Sequence, residues 1–448
     1  MKMFTKKVPR AAICTLGCKV NQYESEAISE ALQKAGFALT RFEDEAEVYI
    51  INTCTVTAES DRKAGQMIRR AAKRAHKPLV LVTGCMAQTQ AERVAAIEGV
   101  SAVFGSRNKL DCVRFAREAI FDGVLPTMPH IAVYDTEALP IEPMSICRSG
   151  GERTRAYIKI EDGCENHCSY CAIPLARGNV VSKEPKDVLS EMERLLANGY
   201  REIVLTGIEI ASYGKDFSKE RNYGLIDLLE EADRLPRLSR LRLGSLEPTY
   251  MKPDVVQRMK ALEHLAHHFH LSLQSGADAV LRGMKRKYNM SMIRAVMADI
   301  RLAMPDVMFT TDIMTGFPGE TLSDHAETLS FAKEARLLHI HVFPYSERKN
   351  TVAAQMPNRL PTAEKNRRAG ELIAVQNEVS NSIYEEITAE APCLEILSEV
   401  CENGIVKGHT ANFLEVCALC DHDIPQGTLL CIKVEKHCNG VLLGAIVK

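Results

Sequence analysis

No apolar run in this chain of 448 residues approaches the ~18 residues that a membrane-spanning helix needs, so no such helix is expected. The N-terminal MKMFTKKVPRAAICTLGC is basic but lacks the apolar core of a secretory signal. A charge excess is missing too. Lys and Arg number 56 against 58 Asp and Glu, a net −2, so any attraction for nucleic acid has to be local. These absences lead to the expectation of a cytoplasmic protein with no membrane partner, kept where thiols stay reduced. Fifteen cysteines in such a chain point to metal ligation more than to disulfides. With 46% hydrophobic and 25% charged residues the chain reads as soluble and globular, with about three domains by length.

A fourth cysteine is missing where it would count most. The stretch Gly163-Cys164-Glu165-Asn166-His167-Cys168-Ser169-Tyr170-Cys171 holds three, spaced CxxxCxxC. A closed structural zinc site takes four ligands, and so does a closed electron-transfer iron–sulfur cluster. Three thiolates leave one iron of a [4Fe–4S] cubane open, and so short a loop can wrap a cubane corner and aim all three sulfurs inward. Three inert buried cysteines, or zinc with a distant fourth ligand, are the alternatives; ligand count and redox compartment weigh against both.

The preceding region, residues 1–124, has a βα rhythm. Ala11–Leu16, Glu47–Asn52 and Leu79–Thr83 read as buried parallel strands. A helix with Ala27, Ile28, Ala31, Leu32 and Ala35 on one face separates the first two, and another covers about 59–76. An open doubly wound sheet follows. Cys18, Cys54 and Cys85 come directly after these three strands, at the carboxyl edge where such sheets bind ligands, so a second three-cysteine cluster is expected there. Cys14 and Cys112 read as core residues. The helix after Cys54 carries Arg62, Lys63, Arg69, Arg70, Lys73, Arg74 and Lys77, with Asp61 as its only nearby acid. It is either a solvated face or a phosphate-contacting one.

Residues 125–151, with Pro126, Pro129, Pro140, Pro143 and a Ser-Gly-Gly end, have a linker composition. From 152 to 378 about six strand–helix units suit an open, partial TIM-type barrel, whose chemistry sits at the carboxyl ends of its strands. Those ends read Thr206-Gly207-Ile208-Glu209, Ser245-Leu246-Glu247, Gln274-Ser275-Gly276, Asp312 with Gly316, and Tyr345-Ser346. After a charged helical stretch, residues 379–448 show short strands between turns and suggest a small β-barrel. Its Cys417, Cys420, Cys431 and Cys438 are discounted as zinc ligands, because the first pair lies in a strand-like run and not on a knuckle turn.

These residues resemble one family over essentially the whole chain, the radical S-adenosylmethionine (SAM) methylthiotransferases. The resemblance rests on Thr15-Leu16-Gly17-Cys18-Lys19-Val20-Asn21-Gln22, Asn52-Thr53-Cys54 and Thr83-Gly84-Cys85. It continues in the cysteine loop with aromatic Tyr170, in Ile173-Pro174-Leu175-Ala176-Arg177-Gly178, and in Gly408-His409-Thr410, which is similar to a TRAM RNA-binding barrel. Its Leu-Gly-Cys-Lys-Val-Asn-Gln run, His270-Leu271-Ser272-Leu273-Gln274-Ser275-Gly276 and Met284-Lys285-Arg286-Lys287-Tyr288 look most like the type acting on threonylcarbamoyladenosine at position 37 of tRNA. The type acting on isopentenyladenosine usually reads Pro-Val-Gln-Ser-Gly at the second of these. Three departures stand out: Asn179-Val180-Val181-Ser182-Lys183 replaces an Arg-Ser-Arg-like run, Glu209 an Asn or His, and Asn350 a Gly.

The resemblance implies two [4Fe–4S] clusters, on Cys164, Cys168 and Cys171 and on Cys18, Cys54 and Cys85. It implies SAM near Tyr170, Gly207, Glu209, Ser245, Glu247, Gln274, Arg286 and Asp312. One SAM would methylate a cluster-borne sulfur and a second would supply the radical that opens the adenine C2–H bond. The partners implied are a tRNA anticodon stem-loop and an electron donor such as flavodoxin or ferredoxin; no sulfur donor is identified. RNA would meet Arg62, Arg69, Arg70 and Lys73, with Phe343 or Tyr345 stacking on a splayed base. Residues 380–448 carry ten acidic side chains against four Lys and Arg, so the basic helix and the Arg282–Lys287 cluster are the stronger electrostatic candidates.

Overall fold

The computed structural model describes residues 8–124, 128–147 and 154–447. Residues 1–7, Pro126 and the Ser-Gly-Gly run of the expected linker lie outside the described residues. The first body is an all-parallel sheet of six strands: β1 (Arg10–Thr15), β2 (Ala38–Thr40), β3 (Val48–Thr53), β4 (Leu79–Gly84), β5 (Ala102–Phe104) and β6 (His130–Ala132). They are ordered β2-β1-β3-β4-β5-β6. Every residue of β3 and β4 is buried, as continuous apolar runs demand of a strand covered on both faces. The stretch with linker composition supplies β6 and packs Met144 and Ile146 into the core. Between the strands run α1 (Lys19–Lys34) and α2 (Ala58–Ala72).

The second body is an open arc of parallel strands. It starts at β7 (Arg155–Lys159), followed by a short antiparallel pair, β8 (Glu161–Asp162) and β9 (Val181–Ser182). The arc continues through β10 (Glu202–Thr206), β11 (Arg240–Leu243), β12 (Ser245–Leu246), β13 (His268–Gln274), β14 (Met308–Thr315) and β15 (His339–Pro344). It breaks into sheets of three and four strands, which the single bridge Leu241–Leu265 spans. Outward residues such as Ile158, Leu205, Leu243 and Leu271 are fully buried under the surrounding helices.

The first body straddles the mouth of this arc. On one side α1 packs on β7, and the Tyr23 hydroxyl donates to Met144 O at 2.7 Å. On the other, the start of α2 meets the segment after β15: the Ala58 amide donates to Ser346 Oγ at 2.9 Å, and Arg348 pairs with Asp61 at 2.6 Å. One continuous apolar cluster runs through both bodies.

The helix Thr362–Glu390 leads to a closed five-stranded barrel: β16 (Cys393–Glu402), β17 (Ile405–Thr410), β18 (Glu415–Leu419), β19 (Leu429–Cys438) and β20 (Val441–Val447). Cys417 lies within β18 and Cys431 and Cys438 within β19. Cys420 instead faces Cys401, with the sulfurs 3.4 Å apart. The loop between β17 and β18 puts Phe413 under the amino end of the large arc, stacked on His268 at 4.5 Å.

Candidate functional site

The carboxyl edge of the first sheet brings Cys18, Cys54 and Cys85 together. Gly17 turns the chain back with φ +109°, and a Cβ there would stand 2.8 Å from Cys54 Cβ, so only glycine allows this approach. Gly84 is held the same way, since a Cβ on it would collide with Thr53 O. Burial pushes the Cys54 thiol up to about 11, the Val56 amide at 3.4 Å acting against it. Crowding by surrounding protein also raises Cys18, although its surface remains open to water.

Below that edge, Cys164, Cys168 and Cys171 line the turn after β8. Gly163 permits the turn with φ +86°, where a Cβ would collide with Asn179 O. Burial raises Cys164 to about 12 and Cys171 to about 11. Arg286 Nη1 donates to Cys168 Sγ at 3.0 Å. The helical turn Cys85–Thr89 packs on the helical turn Ile173–Arg177 that follows Cys171, which brings the two sets of three close together. Arg177, fully buried, spans them: its Nε donates to Cys85 Sγ at 3.3 Å, while its other nitrogens bind Glu24, Asp162 and Asn21. Among the described residues no three Cys, His, Asp or Glu side chains could hold a single metal ion. A cubane makes a different demand, since each iron takes its own thiolate and the sulfurs need not meet at one point.

The residues expected at the arc's mouth separate into groups. Glu209 and Glu247 line one cavity with Asn166 of the cysteine loop and Lys215. Burial first, then Glu247, raises the Glu209 carboxyl to about 8 against Arg286. Arg286 is fixed by Glu247 at 2.6 Å and by Ser272 O at 3.0 Å. Gly207 has no room for a Cβ, which would lie 2.5 Å from Glu161 Oε2, and that oxygen accepts the Glu209 amide at 2.8 Å. Ser245 is exposed, and Gln274 sits at φ +68° in a strand irregularity. Asp312 belongs elsewhere, inside the arc, 3.4 Å from His270 Nε2. Tyr170 joins an apolar cluster with Val280, Met284 and Phe317.

Tyr345 packs in that same cluster, buried and edge-on to Phe317 at 5.9 Å, which corrects its expected stacking role; Phe343 is half-buried beside it. The basic helix also needs correction, because Asp61 is not its only nearby acid. Glu59 holds Arg62 at 2.5 Å, and Glu43 lies 3.9 Å from Arg70. Arg69 and Lys73 are exposed.

Sequence reasoning passed over Asn21, Glu24 and Lys109. Asn21 and Glu24 are polar side chains buried on the inward face of α1, and Lys109 is buried in the turn before the helix Asp111–Phe121, places where a search for apolar periodicity does not look. Polar residues at the inward positions of α1 were the available signal.

Residues 10–105 match the family described as Uncharacterized protein family UPF0004, and residues 158–332 match the Radical SAM superfamily. Among relatives, the chain is 37% identical to the threonylcarbamoyladenosine tRNA methylthiotransferase MtaB of Bacillus subtilis, covering 90% of this chain and 89% of that one. Its identity to the MtaB protein of Thermotoga maritima is 35%, over 82% and 81%. A tRNA-2-methylthio-N(6)-dimethylallyladenosine synthase of Clostridium botulinum is 33% identical over 86% and 84%. The radical SAM methyltransferase TsrM of Kitasatospora setae shares the fold, with a TM-score of 0.53 at 15% identity over 78% and 74%. Near-complete coverage at these identities, with both domain matches in order, means that the chain belongs to the radical-SAM tRNA methylthiotransferase family.

Proposed function

We propose that this protein adds a methylthio group to C2 of N6-threonylcarbamoyladenosine at position 37 of tRNAs reading codons that begin with A. The observation that carries the reading is the pair of three-cysteine sets brought close together by the packing of Cys85–Thr89 on Ile173–Arg177. The donor sets fit two [4Fe–4S] clusters: each has three thiols, and burial raises Cys54, Cys164 and Cys171 so that these thiols stay protonated until a metal displaces the proton. When bound, one cluster supplies an electron to cleave SAM reductively and the other supplies the sulfur.

The chain's own residues bind and orient. Asn166, Glu209, Glu247 and Lys215 form the polar cavity beside the cysteine loop that suits the amino-acid end of SAM. Arg286 ties Cys168 to Glu247 and to the strand carrying Ser272, so the loop cannot shift without breaking buried contacts. Arg177 does the same for Cys85. Arg69 and Lys73 on α2 offer exposed cations to the RNA backbone, and an electron donor of the flavodoxin or ferredoxin kind completes the reaction.

Nucleoside mass spectrometry of tRNA from cells with and without the gene tests the reading. Loss of 2-methylthio-threonylcarbamoyladenosine with a rise of its unthiolated precursor is expected. Loss of the methylthiolated isopentenyladenosine instead would move this chain to the other type of its family.

A further inference from the structure

Two buried arginines of the second body reach across to the first set of cysteines. Arg177 meets Cys85 itself, and Arg348 meets the loop of Cys54. Arg348 belongs to the segment 346–353, which follows β15 and touches both cysteine sets. At the start of this segment Ser346 Oγ accepts the Ala58 amide at 2.9 Å. Arg348 Nη2 then donates to Thr55 Oγ1 at 2.7 Å and to Asp61 Oδ2 at 2.6 Å. Asp61 gathers its own side of the contact. It accepts from Thr55 Oγ1 at 3.0 Å and from Gln90 Nε2 at 3.0 Å, and Gln90 is the residue that ends the helical turn Cys85–Thr89. One carboxylate thus gathers the chain beyond Cys54 and the chain beyond Cys85 onto a single guanidinium.

The other end of the segment holds the second set. Thr351 Oγ1 donates to Arg348 O at 2.8 Å, and the Ala353 amide donates to Ser169 O at 2.7 Å, between Cys168 and Cys171. Ser169 is fixed from its other side as well, donating to Gly283 O at 2.8 Å and to Met284 O at 3.1 Å. Asn350 turns the segment at φ +65°, a left-handed conformation that Asn tolerates much as Gly does, so its replacement of a Gly keeps the turn. Arg348, Thr351, Ala353 and Ser169 are all buried. Buried hydrogen bonds to charged groups are costly to break without a new partner, so a segment held at both ends by such contacts acts as a spacer.

We infer that Arg348 is a positioning residue, which sets the separation of the Cys54 loop from the Cys168–Cys171 loop through Asp61 and Thr55 at one end and Ser169 at the other. The inference rests on the reading above that both sets hold clusters. Cleaving SAM asks only for the second set, whereas bringing sulfur to the substrate carbon asks for both sets at a fixed separation. Loosening the segment should spare the first event and impair the second.

The test uses the full chain. In the metal-free protein, hydrogen exchange of the Ala58 and Ala353 amides, which join the segment to the two loops, should be about tenfold faster in Arg348→Met, with the β3 and β4 amides unchanged. In the reconstituted enzyme, the methylthio product formed per 5′-deoxyadenosine released should fall about ten- to a hundredfold in Arg348→Met, the range for a small misplacement of reacting groups. Arg348→Lys keeps a cation with donors for both acceptors and should restore most of that ratio. Ser346→Ala removes only the acceptor of the Ala58 amide and should lower the ratio less. A wild-type ratio in Arg348→Met, or product and 5′-deoxyadenosine falling together, overturns the inference and leaves the pair an ordinary interface contact. Where Arg348→Met does not fold, an unchanged ratio in Ser346→Ala overturns it. A wild type that takes up iron for one cluster alone removes the two-cluster reading itself, a result distinct from these.

Discussion

Glu24 is one carboxylate shared by three cations, with Lys109 Nζ at 2.8 Å, Lys159 Nζ at 2.9 Å and Arg177 Nη1 at 2.7 Å, all fully buried or nearly so. Asp162 takes a second share of Lys159 and Arg177, and Asn21 and Asn52 accept the remaining N–H groups. Although burial alone would raise them, the cations hold Glu24 and Asp162 below the usual carboxylate range. Their folded values lie under their unfolded ones, so the stability they add is complete above the ordinary carboxylate pKa and is lost as pH falls through the lowered values. Glu24→Gln strips the cations of their main counter-charge and should destabilise the protein by about 3–5 kcal/mol at neutral pH. Urea unfolding would measure it, and the gap to wild type should close on acidification. An equal gap at neutral and strongly acidic pH would show that the lost carboxylate charge is not the cause.

At the scale of the element, α2 illustrates how a charge run is divided by structure. Thr57 caps it, its side chain accepting the Ser60 amide, and Ala64, Ile68 and Ala71 are buried. Arg62 is already neutralised by Glu59, whereas Arg69 and Lys73 are exposed with no ion pair among the described residues. Arg69→Ala with Lys73→Ala should therefore weaken tRNA binding and lower the slope of log K against log salt by about 0.7–0.9 for each phosphate left without its cation. Arg62→Ala should change it less. Filter binding across a salt series decides this, and an unchanged slope in the double variant would return the face to plain solvation.

The same helix shows what the sequence revealed. Its apolar spacing was legible, as were β3 and β4, because long uninterrupted apolar runs have one physical use in a globular fold. Strands of three residues, β2, β5 and β6, were not, since so short a run carries no period and is fixed by its neighbours. The six cysteines stood out through their places after strands and in one loop. Glu24 and the partners of Arg177 did not, because their roles depend on residues far along the chain, Arg177 reaching Asn21 across 156 residues.

For the whole molecule, the junction between the two α/β bodies is built as an interior rather than as a docking surface. One apolar cluster includes Tyr23 and Ile28 from the first and Ile158 and Met192 from the second, all fully buried. The charge network crosses the same junction, with Lys159, Asp162 and Arg177 on one side and Glu24, Lys109 and Asn21 on the other. Inter-domain surfaces that part easily are smaller and more polar than this, so the two bodies should unfold as one cooperative unit. A piece beginning at residue 154 would expose that apolar face and leave Lys159 and Arg177 with Asp162 as their only carboxylate partner. It should lack a cooperative urea transition by circular dichroism, while the full chain gives a single transition for this pair of bodies, with the small barrel free to melt separately. A truncated piece that unfolds cooperatively at the full chain's midpoint would show that the large arc stands alone. The approach of the two cysteine sets would then be produced by docking rather than by folding.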